Sequence, residues 1–346
     1  MRAVRLAGTE AIEVVAVPDP VLTGDRDAIV RVTHTAICGA DLLPYHGWTP
    51  GFEAGTILGH EFVGVVQDAG DALAGVVAPG QRVVNTSMTS DGSCAHCRAG
   101  RPTQCTSRAL FGYSGVYARL DGGQAELVRI PRADRCLWPV PESVSSEDAV
   151  FVADILPTGF LAVQRSGVGS GDVAVVLGCG PVGLMAVLCA VGVARRVIAV
   201  DGIAARRELA ASLGAQAVDP ADAAEAVAAA TGGIGADGVI EASGSQAALA
   251  GALALVRPQG VIAVVGAHFE PDFPLNNGAM FEKEITLSFA IGNPGRDRER
   301  LFAMIVDGVL TPSAVISDRV GLEDAPEAYR AFDAREATKV VLTTGA

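Results

Sequence analysis

The 346-residue sequence predicts an α/β protein in two parts, an all-β barrel-like catalytic domain and a doubly wound parallel-sheet domain. Three observations carry this reading. Residues 1 to about 150 hold short strand-like runs punctuated by Gly, Pro and Asp. From about 155 to 290, such runs alternate with helical stretches. Near the start of that alternation, Val175-Val176-Leu177-Gly178-Cys179-Gly180-Pro181-Val182-Gly183 reads as strand, glycine turn and helix.

In chain order, strands are expected at 28–32, 62–67, 82–85 and 123–130, which together suit a barrel. The second part places strands at 173–177, 197–201, 236–241, 261–266 and 285–290. Its helices are expected at 184–192, 204–213, 221–230 and 247–256. The tail carries helices at 297–307 and 323–333 and a last strand at 339–343. The expected domains are 1–152, 153–290, and a return segment 291–346 that completes the first domain with its closing strand. Residues 173–194 contain no charge and are long enough to cross a bilayer. Gly178, Gly180, Pro181 and Gly183 interrupt the run, its start is rich in valine, and Pro181 sits where a first helical turn tolerates proline. Strand, turn and helix therefore account for it better than a membrane span.

Half of the residues are hydrophobic and the net charge is −13. No basic stripe offsets that charge, which sets nucleic-acid binding aside. Lys283 and Lys339 are the two lysines of the chain. The seven cysteines are an odd number, and Cys94, Cys97 and Cys105 cluster in a spacing that reads as metal binding rather than a disulfide framework. The N-terminal residues lack an apolar export core, so a cytoplasmic protein with no membrane association is expected.

The glycine turn gains weight from its context. Gly178 permits the tight turn, Gly180 lets backbone approach a pyrophosphate, and Gly183 allows close helix–sheet packing. Pro181 and Val182 open the helix whose N-terminal N–H groups face the anion. Asp201 ends the next strand, where a carboxylate binds adenosine ribose hydroxyls and repels a 2′-phosphate, so NAD is expected ahead of NADP. Arg206 and Arg207 follow closely and could relax that preference. Gly266, at the end of the 261–266 strand, is counted with the cofactor residues.

Cys38, Gly59-His60-Glu61 and Asp154 offer a thiolate, an imidazole and carboxylates, which are the ligands zinc takes. Asp91, Cys94, Cys97 and Cys105 offer a second set, able to close a structural zinc site, with His96 as an alternative to Asp91 and a metal-free loop as another outcome. Asp41 is a candidate hydrogen-bond partner for a ligating imidazole, or else a helix cap.

Taken together, Ile37-Cys38-Gly39, Gly59-His60-Glu61, the cysteine lobe, Asp154-Ile155-Leu156-Pro157-Thr158-Gly159 and the glycine turn resemble the zinc-dependent medium-chain alcohol dehydrogenase superfamily, closest to its formaldehyde/threonine dehydrogenase-like branch. The resemblance covers essentially the whole chain. It implies a GroES-like catalytic domain and a Rossmann cofactor domain. It also implies catalytic zinc on Cys38, His60 and Asp154, Glu61 entering or leaving the metal shell, and Thr158 facing the nicotinamide. The family's lobe zinc has four cysteines, whereas this chain has Asp91 at the first position. A homodimer or homotetramer acting on a small-molecule substrate is expected, with 285–290 either an edge strand that pairs across a two-fold axis or, equally, a buried strand.

A second departure concerns the proton path. Positions that carry a hydroxyl and often an imidazole in the family are Ala40 and Leu43, and neither side chain carries a proton. His46 is either a substitute or a surface histidine. The leading reading is zinc-dependent hydride transfer between NAD(H) and an alcohol or carbonyl. A reductase of an activated C=C or C=N bond is the alternative, since it makes less use of an alcohol-proton relay. A non-catalytic nucleotide-binding protein is the third, and it leaves the zinc ligands unexplained. Trp48, Leu110, Phe111 and Tyr113 are candidates for an apolar pocket or for core packing.

Overall fold

The computed structural model describes residues 1–268 and 275–345. The chain divides into two compact units, Met1–Asp154 with Asn293–Ala346, and Ile155–Gly292. The strands of the first unit are β1 (Arg2–Gly8), β2 (Ala11–Ala16), β3 (Ala28–Ala36), β4 (Phe62–Ala69), β5 (Arg82–Asn85), β6 (Leu127–Ile130) and β7 (Leu137–Pro139). The second unit follows with β8 (Val173–Leu177), β9 (Arg196–Val200), β10 (Gln216–Val218), β11 (Ala236–Glu241), β12 (Val256–Val264) and β13 (Thr286–Phe289). The tail adds β14 (Asp318–Gly321) and β15 (Val340–Thr343) to the first unit.

In the first unit, a seven-stranded sheet runs β14-β15-β3-β4-β5-β7, with β6 also paired to β3. Val30 and Val32 of β3 bury against Phe62, Val66 and Phe111, and the Phe62 and Phe111 rings meet edge-on at 5.5 Å. Such pairs add to the free energy of apolar burial. Antiparallel pairing places Thr35 opposite Phe62, so the residues after β3 and those before β4 share one end of the sheet. Cys38 follows the one and His60-Glu61 precede the other. β15 pairs with β3 in the register Val341↔Ala36, which carries Lys339 to the same end. The fold thus gathers three distant segments by strand pairing alone.

The second unit is a parallel sheet in the order β10-β9-β8-β11-β12-β13. Val173, Val175, Ile198, Val239 and Ile262 are almost wholly buried, as strands covered on both faces require. Chain order reverses between β8 and β11, whose last residues Leu177 and Glu241 pair directly. That is the point where open α/β sheets bind ligands. The uncharged run 173–194 resolves into β8, the glycine turn and the helix Pro181–Val191. Among the described residues, no helix is long and apolar enough to cross a membrane.

Several expected boundaries shift. The strand expected at 123–130 shortens to β6, because Gly122, Gly123 and Gln124 hydrogen-bond to Ile57, Gly59 and Leu58 instead. β9 stops at Val200, leaving Asp201 just past its end. The helix Gln246–Leu255 gives way at Val256 to a strand longer than 261–266. The helix Ile155–Ser166 and the three-residue β10 were outside the expected elements.

Candidate active site

The ligand atoms of Cys38, His60, Glu61 and Asp154 all lie within 4.8 Å of one another. Cys38, His60 and Glu61 are buried at the sheet end described above. Local sequence accounts for the placement. Gly59 has φ +95°, and a Cβ there would stand 2.8 Å from the backbone nitrogen of Gln124, so the turn that presents His60 requires glycine. Asn85, at the end of β5, donates to the carbonyl of His60 at 2.7 Å and accepts from the amide of Phe62 at 2.8 Å. It thereby fixes the backbone on both sides of Glu61. Cys38 precedes a short 3-10 turn, Gly39–Asp41, and its amide donates to Asp41 Oδ2 at 3.0 Å. Asp41 Oδ1 lies 3.2 Å from His60 Nδ1. Of the two roles weighed for Asp41, Oδ2 takes the cap, while Oδ1 stands near Nδ1 without hydrogen-bonding it. His60 Nε2 faces Asp154 Oδ2 at 3.6 Å, and Ser87 Oγ donates to Asp154 Oδ1 at 2.9 Å.

Burial pushes the Cys38 thiol up to about 11, with Glu61 adding to the effect and His60 opposing it. Burial also works against a charged His60, yet Asp41, Cys38 and Asp154 hold its pKa well above the ordinary value. Burial raises Glu61 in spite of Lys339, whose Nζ is 2.6 Å from Glu61 Oε2. Burial disfavours the Asp154 carboxylate too, but the hydrogen bonds from His60 and Ser87 hold it below its usual value. Glu61 Oε1 is buried without a hydrogen-bond partner among the described residues. A buried oxygen left in that state is costly unless a ligand takes it. Sulfur, nitrogen and carboxylate donors converging on one point fit zinc.

A second group, Asp91, Cys94, Cys97 and Cys105, meets the same 4.8 Å criterion; His96 is outside it. Asp91 Oδ1 accepts from the amides of Ser93 and Cys94 at 2.7 and 2.8 Å, and Oδ2 accepts from Ser107 Oγ at 2.8 Å. The amides of Cys94 and Ser93 hold this carboxylate far below its usual pKa. Backbone N–H groups of Cys97 and Thr106 lower Cys94 to about 7, whereas burial raises Cys97 to about 11. This donor set fits a closed structural zinc site with one oxygen ligand.

In the second unit, Gly178 has φ +91°, and Gly183 approaches it so closely that a Cβ would stand 1.8 Å from the Gly178 carbonyl oxygen. Gly180 precedes the helix Pro181–Val191, and no side chain caps that N-terminus. Asp201 accepts from the amides of Cys179 and Ile203 at 2.7 and 2.8 Å, so it braces the glycine turn. Arg207 donates to the Asp201 carbonyl and to Asp219, while the Arg206 guanidinium lies beside Gly180. Gly266 packs where a Cβ would stand 2.5 Å from Glu241 Oε2. Thr158, on the helix Ile155–Ser166, lies against Gly292.

The comparisons with known proteins agree with this geometry. Residues 24–142 match the alcohol dehydrogenase GroES-like domain, and residues 181–306 match the zinc-binding dehydrogenase family. A probable zinc-binding alcohol dehydrogenase of Mycobacterium tuberculosis is 36% identical over 97% of this chain and 86% of its own length. The chain belongs to the zinc-dependent medium-chain alcohol dehydrogenase superfamily. It is a nicotinamide-linked oxidoreductase acting on CH–OH groups. An alcohol dehydrogenase from a Thermus species superimposes with a TM-score of 0.94 at 36% identity, covering 99% of both chains. Two more distant structures carry different cofactors. One, from Escherichia coli, is 26% identical with a TM-score of 0.87 and 99% of both chains covered, and is complexed with NADH. The other, a zinc-binding dehydrogenase from Sinorhizobium meliloti, is 29% identical with the same score and coverage and is bound to NADP. These relatives do not distinguish the formaldehyde/threonine branch from others of the superfamily.

In this dehydrogenase several site neighbours escaped the sequence reading. Lys339 carried one signal, as one of two lysines in the chain, and Asn85 and Ser87 carried none. His46 is tied through both ring nitrogens, to Glu10 at 3.1 Å and Asp333 at 2.8 Å, and stacks on the exposed Trp48. It has no nitrogen left to pass a proton. Phe111 is core, while Tyr113 is buried against His60 and donates to the carbonyl of Ala40.

Proposed function

We propose that the chain interconverts a small alcohol and its carbonyl with NAD, using zinc held by Cys38, His60 and Asp154, with Glu61 as a conditional ligand. The observation that carries this reading is the convergence of those four ligand atoms within 4.8 Å. Held there, zinc would supply Lewis-acid polarisation of a substrate oxygen, and a bound nicotinamide would supply or take up the hydride. Asp41, whose Oδ1 lies 3.2 Å from Nδ1 without a hydrogen bond, would set the His60 tautomer by closing on Nδ1, leaving Nε2 to ligate the metal. Ser87 orients Asp154. Ala40, Leu43 and the committed His46 supply no side-chain relay, so the alcohol proton leaves through water. A second zinc on Asp91, Cys94, Cys97 and Cys105 holds the lobe.

Gly178, Gly180, Pro181, Val182 and Gly183 cradle the pyrophosphate, and Asp201 takes the adenosine ribose and selects NAD. Arg206, beside Gly180, offers a cation to a 2′-phosphate, which supports some use of NADP. Gly266 and Thr158 serve the nicotinamide half. Among the described residues β13 is an edge strand of its sheet and Phe289 is 56% exposed, which supports a homodimer or homotetramer. Reduction of a C=C or C=N bond gains nothing from relatives named as alcohol dehydrogenases.

The test is turnover by the zinc-loaded protein of alcohols, aldehydes, ketones, enones and cyclic imines with NAD(H) and NADP(H). Alcohol oxidation with NAD supports the reading. Turnover of enones or imines alone overturns it.

A further inference from the structure

Glu241 and His268 form a pair for which the mechanism above has no use. Glu241 ends β11, and its side chain is fully buried. Its Oε1 accepts from the amides of Ser243 and Gly244 at 2.8 and 3.0 Å and from Ser243 Oγ at 2.5 Å. Its Oε2 lies 2.7 Å from His268 Nε2. The imidazole is nine-tenths buried, with 10% of the side chain exposed, yet Nδ1 has no hydrogen-bond partner among the described residues. A buried nitrogen in that position is costly to leave unpaired.

The surroundings say where this nitrogen belongs. The loop Ala242-Ser243-Gly244 rests on the glycine turn, since a Cβ on Gly178 would stand 2.7 Å from Ser243 Cβ. The loop after β12 closes on the same place, because the amides of Val265 and Gly266 donate to the Glu241 carbonyl at 2.9 and 3.0 Å. Both loops leave the C-terminal ends of strands next to the switch point. Asp201 lies on the other side of β8, where the adenosine half is placed. The remaining mononucleotide half must lie over β11 and β12.

We propose that His268 is a cofactor-binding residue, whose Nδ1 accepts a hydrogen bond from the nicotinamide nucleoside, and that Glu241 is the positioning residue that fixes its ring. In the tautomer that donates Nε2–H to the carboxylate, Nδ1 is left as an acceptor. The donors available on that half are the ribose hydroxyls and the carboxamide N–H. The inference rests on the dinucleotide reading of this unit.

The experiment measures dissociation constants by titration calorimetry for NADH, ADP-ribose and ADP on wild type, His268→Gln and His268→Asn. Gln keeps a donor near Nε2 for Glu241 but loses the Nδ1 acceptor; Asn keeps an acceptor near Nδ1. Loss of one hydrogen bond corresponds to about fivefold weaker NADH binding in His268→Gln. ADP, which lacks the nicotinamide nucleoside, should bind all three proteins alike. Partial recovery of NADH binding in His268→Asn supports the assignment. If ADP-ribose weakens with NADH, a ribose hydroxyl is the donor; if it does not, the carboxamide is. Unchanged NADH binding in a folded His268→Gln overturns the inference. Failure of wild type to bind either NADH or ADP overturns the dinucleotide reading itself.

Discussion

Lys339 Nζ lies 2.6 Å from Glu61 Oε2, and neither side chain is exposed. Lys339 also donates to the carbonyl of Ile37 at 3.0 Å, so the ammonium links the segment before β4 to the one before Cys38. Removing one member of a buried pair leaves an uncompensated charge. Lys339→Met should therefore cost about 3–5 kcal/mol in urea unfolding of the zinc-loaded protein. Lys339→Met with Glu61→Gln should recover part of that loss. A single variant as stable as wild type would refute a stabilising pair.

The lobe gives a metal count. With two ligand groups, the protein should carry two zinc ions per chain by atomic emission. Asp91→Ala removes the oxygen ligand and the acceptor of the Ser93 and Cys94 amides, so zinc should fall towards one per chain and the melting temperature should drop. His60→Ala should instead abolish alcohol oxidation while the lobe metal stays. Two zinc ions retained in Asp91→Ala would show that the lobe closes without this carboxylate.

The general outline of both units was legible because strand runs and the glycine turn are local patterns. Cys38, His60 and Asp154 were legible because metal binding restricts residue type. Asn85, Ser87 and Lys339 were not, because their partners lie far away in sequence and meet only through strand register: Lys339 and Glu61 are brought together by β15 pairing with β3. Asp201 shows a subtler limit. Its position was legible, but its bracing of the Cys179 amide depends on the turn's exact path.

His46 gives a pH prediction. Burial alone would lower its pKa, but the hydrogen bonds it donates to Asp333 and Glu10 raise it above 6.5. A raised histidine pKa stabilises the folded state fully below the unfolded value and loses that contribution as pH rises through the folded value. Wild type should therefore exceed His46→Gln in stability by more at pH 6 than at pH 9, measured by denaturant midpoints. A gap that is constant with pH would mean that the ring acts through packing on Tyr45 and Trp48 alone.

Asp201 tests cofactor choice and turn geometry together. Asn at this position keeps the side chain's size but removes the charge that repels a 2′-phosphate. It also offers one acceptor oxygen where the Cys179 and Ile203 amides use two. Asp201→Asn should lower kcat/KM for NAD by about 10- to 100-fold, the range for losing charged hydrogen bonds. The ratio of NADP to NAD turnover should rise, and adding Arg206→Ala should reverse that rise if the guanidinium beside Gly180 receives the phosphate. An unchanged kcat/KM for NAD in Asp201→Asn would remove Asp201 from the ribose site and leave it as a brace of the glycine turn.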